Sequence, residues 1–138
     1  MSITPYLLYE DVPAALDWLA QAFGLRETLR YAGDDGVVSH AEMQLGDAVV
    51  MLGHPGPDYR NPKHLGHRTH LVVVDVDDAD AHHRRAAAAG ATIVEEPCDK
   101  PYGARAYRAE DPEGHEWSFH QTIADVAPAD WGAASASG

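Results

Sequence analysis

Residues 69–90 read THLVVVDVDDADAHHRRAAAAG, and residues 3–24 read ITPYLLYEDVPAALDWLAQAFG. Both stretches open on a short β-branched or aromatic run, cross an acidic cluster, continue with helical periodicity and stop at a glycine. Sliding the chain by 66 residues sets Gly24 on Gly90, Asp11 on Asp77, Ala15 on Ala81, Ala20 on Ala86 and Thr4 on His70. A repeat of this length marks an internal duplication, each copy being one supersecondary unit that needs its neighbour to bury its apolar face.

Working outward, Ile3 to about Tyr9 reads as a strand. Pro13 to Phe23 reads as an amphipathic helix with Ala15, Leu16, Leu19 and Phe23 on one face, Asp11 as its cap and Gly24 as its stop. Val37 to Leu45 alternates, with His40, Glu42 and Gln44 sharing a face, and Gly46-Asp47 turns it into a further strand, Ala48 to Leu52. The second copy has a strand from Thr69 to Val74, a helix from Ala79 to Ala89, a strand from Ala104 to Ala109, the turn Asp111-Pro112-Glu113-Gly114 and a last strand from His115 to Gln121.

The expected class is therefore α+β, two repeated βαβββ modules in one domain spanning 1–123. Module one covers 1–53, a linker rich in Gly, Pro and His covers 54–68, and module two covers 69–123. The tail, 124–138, is rich in small residues and aperiodic; it is expected to be disordered, with Trp131 free to dock against a partner subunit.

With 138 residues the chain fits one compact domain. Its formal net charge of −12 repels phosphate backbones and anionic lipid surfaces, so neither nucleic acid nor membrane is an expected partner. No apolar run, Leu71 to Val74 and Ala48 to Leu52 included, approaches a membrane span. The single cysteine, Cys98, has no partner for an internal disulfide, and its acidic neighbours Glu95, Glu96 and Asp99 argue against a nucleophilic role. Ser2-Ile3-Thr4-Pro5 is no signal sequence, and the expected location is the cytoplasm.

The twice-repeated unit, with Thr69-His70-Leu71 opening its second half and Asp111-Pro112-Glu113-Gly114-His115 before its last strand, resembles the vicinal oxygen chelate superfamily. That group comprises glyoxalases, bleomycin-resistance proteins and extradiol dioxygenases. More narrowly, Thr4-Pro5-Tyr6-Leu7, Ala22-Phe23-Gly24, His40-Ala41-Glu42, the run from Gly46 to Leu52, Ala89-Gly90-Ala91, and Asp111 to Phe119 look like the branch associated with phosphonate operons. The resemblance implies a cup-shaped mixed sheet with helices outside, a small-molecule ligand inside the cup, and a homodimer. Alternation then assigns faces: Trp117 and Phe119, with Leu71 and Val73, go under the helices, while His70, Glu116, Ser118 and His120 line the cup with His40, Glu42 and Gln44.

Metal-dependent members of that superfamily draw ligands from the first and last strands of each half. The resemblance places Thr4, Met51, His70 and Ser118 there, and only His70 is a competent ligand, because thioether and neutral hydroxyls bind divalent ions weakly. A shifted set of His70, Glu116 and His120 fails on length, since Glu116 and His120 lie roughly 14 Å apart along a strand. One of them with His70 and Glu42 is the remaining metal option. The sequence specifies no cofactor, and a divalent metal is the disfavoured choice.

Nucleophilic catalysis by Ser118 lacks both a glycine-rich elbow and an oxyanion donor pair. The histidines of His82-His83-Arg84-Arg85 and of the linker read as solvated surface. A binding pocket asks for less: Tyr6, Met51, Tyr102, Tyr107 and Val72 as walls, and His40, Glu42, His70, Glu116 and Arg105 as oriented polar groups, with Ser118 and His120 beside them. Carboxylates facing such a cup favour a cationic or amine-bearing ligand. The expected function is binding of a drug or metabolite, as sequestration or for a metal-independent step. The competing reading is a metal-dependent lyase, isomerase or dioxygenase using His70.

Overall fold

The computed structural model describes residues 1–136. In module one, β1 (Tyr6–Leu8) leads into α1 (Val12–Phe23), followed by β2 (Arg26–Ala32), β3 (Val38–Leu45) and β4 (Ala48–Gly53). A short α2 (Pro62–Leu65) interrupts the linker. Module two repeats the order with β5 (Val72–Asp75), α3 (Ala79–Ala88), β6 (Thr92–Lys100), β7 (Ala104–Glu110) and β8 (Glu116–Thr122).

Each module folds its strands into its own mixed four-stranded sheet, ordered β1-β4-β3-β2 and β5-β8-β7-β6. The outer pairs β1–β4 and β5–β8 are parallel and the rest antiparallel. The fold is thus α+β with a duplicated module, and the sheets do not close into a barrel. Helix starts follow local chemistry: Asp11 accepts the Ala14 N–H, and Asp78 accepts that of Ala81. Gly24, at φ 76°, ends α1 in a left-handed turn that a side chain would strain.

One face of each sheet is buried. Leu7, Ala41, Met43, Val50 and Leu52 pack under α1, while Tyr107, Ala109, Trp117 and Phe119 pack toward α3. Phe23, at the end of α1, joins the two layers, its ring 4.7 Å from that of Phe119 and 5.5 Å from that of Trp117. This leaves an open face on each sheet and a cleft along the seam between β1 and β5.

Two expectations change. The linker is not loop throughout: Asn61 caps α2 by accepting the His64 N–H, and Glu113 of module two accepts the Asn61 side-chain N–H together with the Glu10 and Asp11 backbone N–H groups. The tail, expected to be disordered, instead folds back through its described part. The Ile123 and Ala124 N–H groups bond the Gly103 carbonyl, a 3₁₀ turn forms over Pro128–Trp131, and the Trp131 ring meets Tyr102 edge-on at 5.6 Å. The edge-on contact of these two rings, 37% and 42% exposed, and the bonds to Gly103 give the segment a local order that composition alone did not indicate. Residues 137–138 of the expected tail lie outside the described residues.

Candidate functional site

The repeat does not run at one offset. Gly24 and Gly90 are 66 residues apart, as are the register pairs Arg26↔Gln44 and Thr92↔Glu110. The caps Asp11 and Asp78 are 67 apart, and so are Tyr6↔Met51 and Val73↔Ser118. Module two has lost one residue within its helix and regained one in the Asp111–His115 connection. On β5 this inverts the expected faces: Val72 and Val74 pack against the core, while Leu71 and Val73, 43% and 55% exposed, stand on the open side. Leu71, not His70, is therefore the counterpart of Thr4.

On the open face of sheet one, four predicted residues come together. Register places Met51 between Tyr6 and Glu42, and His40 opposite Gly53. Glu42 accepts from His40 Nε2 at 2.9 Å, and His40 Nδ1 lies 2.8 Å from the Tyr6 hydroxyl. Gly53 makes this possible, since a Cβ there would overlap the Tyr6 ring. Leu29 and Tyr31, paired with Glu42 and His40 on the edge strand β2, extend the surface and are exposed.

His70 stands at the seam. Its Nε2 lies 3.2 Å from Nδ1 of His115, a buried ring whose Nε2 is 2.6 Å from the Leu8 carbonyl; the Tyr59 hydroxyl donates to the same carbonyl at 2.8 Å. Tyr6, Leu8, Tyr59, His70, Leu71 and Val73 share a cleft of about 580 Å³ between β1 and β5. Burial pushes the His70 pKa down, and the neighbouring His115 pushes the same way.

On the face of sheet two turned away from the helices, Glu116, Ser118 and His120 fall on one side as expected, with Glu116 and Ser118 buried. Glu116 is neutralised: Arg108 Nη1 lies 3.1 Å and Arg68 Nη2 3.4 Å from it. Ser118 Oγ and His120 Nε2 are 2.8 Å apart, and Tyr102 stacks on the His120 ring at 6.2 Å. Arg105 is not on this face. It pairs with Asp80 of α3 at 3.0 Å and with Asp99 at 2.9 Å, on the helix side with Tyr107, so neither lines an open face; Val72 packs on the core and also borders the β1–β5 cleft. Arg108 was the residue to choose: it alternates with Tyr107, which is apolar enough to mark the helix side. Tyr59, Arg68 and His115 carried no periodic signal, because two lie in the linker and one in a turn.

The residues present do not suit the metal that the family's metal-dependent members carry. With the corrected offset the four ligand places hold Thr4, Met51, Leu71 and Ser118, none of them imidazole or carboxylate. His70, Glu116 and His120 are each bonded elsewhere, and among the described residues no three His, Cys, Asp or Glu side chains converge to hold an ion.

His82 is depressed like His70: burial dominates, Arg85 adds to it, and the bond to the Phe23 carbonyl opposes it. A histidine whose folded pKa lies below its unfolded value favours the neutral ring in the fold. That contribution is complete above the unfolded value, about 6.5, and is lost as pH falls and the unfolded chain takes up the proton first. The thermal unfolding midpoint is expected to drop between about pH 7.5 and about pH 5, with a shallower slope in His82→Gln. A flat midpoint in the wild type would show that neither ring is held neutral.

The model of the Glyoxalase/Bleomycin resistance protein/Dioxygenase superfamily matches residues 3–119. Mb0911c of Mycobacterium bovis, described only as an uncharacterized protein, is 33% identical over 130 residues, covering 91% of this chain and 86% of that protein. Among solved structures, TioX from Micromonospora sp. ML1 is 38% identical with a TM-score of 0.73, covering 89% of this chain and 99% of TioX. The fosfomycin resistance protein FosX from Mesorhizobium loti, 20% identical with a TM-score of 0.61 over 88% of this chain and 90% of its own, shares the fold.

Proposed function

The chain belongs to the glyoxalase/bleomycin resistance protein/dioxygenase superfamily, and on that premise we propose that it binds a small organic molecule in the β1–β5 cleft, sequestering a drug or metabolite or serving a metal-independent step. The cleft carries this reading: about 580 Å³, with walls from Leu8, Leu71, Val73 and the rings of Tyr6 and Tyr59, is the size and apolar character of a small-molecule site. The chain is 38% identical to TioX and shares its fold with a protein named for fosfomycin resistance. The narrower likeness to the phosphonate-associated branch is carried by short motifs of strand and turn, which fix architecture more than ligand. We place the protein in the cytoplasm as a homodimer, with exposed Leu29 and Tyr31 as part of the surface a second copy would cover.

Ligands are to be found by thermal-shift screening, in which one present at 100 times its dissociation constant adds about 2.7 kcal/mol to the folded state. His70→Ala is then expected to weaken binding by about 1–3 kcal/mol, through loss of a polar partner at the cleft wall, and chelators are expected to change nothing. A chelator-sensitive activity lost in His70→Ala, together with bound metal, would refute the binding reading and restore the metal-dependent one.

A further inference from the structure

The Leu8 carbonyl accepts two hydrogen bonds, from the Tyr59 hydroxyl and from His115 Nε2. Tyr59 has thereby committed its one proton. His115 must carry a proton on Nε2; its ring is 3% exposed and bonded by no carboxylate, and we take Nδ1 as its bare nitrogen. The bond between His115 Nδ1 and His70 Nε2 therefore has His70 as donor, which leaves Nδ1 of a neutral His70 as an acceptor. At Tyr6, Glu42 only accepts, so His40 Nε2 carries the proton, and when that ring is neutral its Nδ1 takes the Tyr6 hydroxyl proton.

Tyr6, Tyr59 and His70 line one cleft, and all three have given their protons to the protein. Arg68, also on that cleft, is held on Glu110 and Glu116. Arg60 directs Nη1 at the carbonyls of Pro57 and Tyr59, at 3.3 and 3.0 Å. We propose that the β1–β5 cleft selects ligands bearing N–H or O–H donors on an apolar or aromatic frame, and discriminates against alkylated analogues whose donors are blocked. This rests on the small-molecule reading and replaces the argument from cup-facing carboxylates, since Glu116 is already neutralised by two arginines.

Long-range ¹H–¹⁵N spectra of the full chain at about pH 7.5 test the first half: His40, His70 and His115 are expected to be neutral with the proton on Nε2. A proton on Nδ1 of His70 overturns the proposal. The second half uses two probes at up to about 10 mM: indole and 1-methylindole. Indole is expected to shift the Tyr6 and His70 signals and to bind at least about fivefold more tightly than 1-methylindole, a preference reduced to within about twofold in Tyr6→Phe/Tyr59→Phe, whose folding is checked by circular dichroism. Equal or tighter binding of 1-methylindole sinks this inference and leaves the cleft as a ligand site. If neither probe perturbs the cleft, the small-molecule reading falls with it.

Discussion

Asp111→Ala is expected to destabilise the protein by about 3–5 kcal/mol, a large part of the stability of a domain this size. Its buried carboxylate accepts four hydrogen bonds. Oδ1 takes the backbone N–H groups of Glu113 and His115 at 3.0 and 3.1 Å; Oδ2 takes the Tyr9 hydroxyl at 2.6 Å and the Trp117 indole N–H at 3.1 Å. Truncation leaves four donors facing a site closed to water, and each such loss costs about 1–3 kcal/mol, though the sum is not additive. The Tyr9 phenol is held protonated by burial first and by the Asp111 charge second, which fixes the direction of that bond. Since Tyr9 belongs to module one and Asp111 to module two, the carboxylate also joins the halves. Urea denaturation of Asp111→Ala, Tyr9→Phe and the double variant is expected to show a coupling of at least about 1 kcal/mol. A loss below about 1 kcal/mol for Asp111→Ala would mean that the connection is held by its backbone alone.

The same carboxylate explains why Asp111-Pro112-Glu113-Gly114-His115 was legible as a turn but not as a site. Sequence shows a turn-forming cluster between two strands; it does not show that Asp111 reaches Tyr9, that Glu113 accepts the N–H groups of Glu10 and Asp11 ahead of α1, or that His115 reaches the Leu8 carbonyl. Those bonds span more than 100 residues of chain, and no periodicity encodes them.

Periodicity did carry the modules, the cap of α1 and the buried faces of α1, β3 and β8. It failed on β5 for an identifiable reason. Asp75, Asp77 and Asp78 all suit a helix start, and a single slide of 66 chose Asp77 because the terminal glycines agree at that offset. The bond from Ala81 N–H to Asp78 and the pairing of Val73 with Ser118 fix the offset at 67, and a one-residue slip moves every side chain of a strand to its other face. His70 thereby looked like a ligand position while standing next to one. The edge strands β2 and β6 lacked a clear apolar face, and all of β2 is exposed, so no burial pattern marked their bounds.

Trp117→Ala is expected to cost about 3–5 kcal/mol and to leave ligand affinity unchanged in the fraction that stays folded. Its ring is 1% exposed, lies parallel to Phe119 at 6.3 Å and packs 5.5 Å from Phe23, so truncation opens a cavity where α1 meets β8. It also removes the indole donor from Asp111, leaving that carboxylate with three of its four partners. Trp117→Phe, which keeps most of the volume but not the N–H, is expected to lose less than about half as much. The pair separates packing from hydrogen bonding, and the readout that matters for function is binding measured well below the unfolding transition. Trp117 shares a face with Val72 through β5–β8 pairing, opposite the side on which Val73 pairs with Ser118. A variant that kept full stability but lost binding would place Trp117 on the ligand side. It would then carry Val72 with it and send Val73 and Ser118 under the helices, undoing the offset of 67 and the cleft assignment that follows from it.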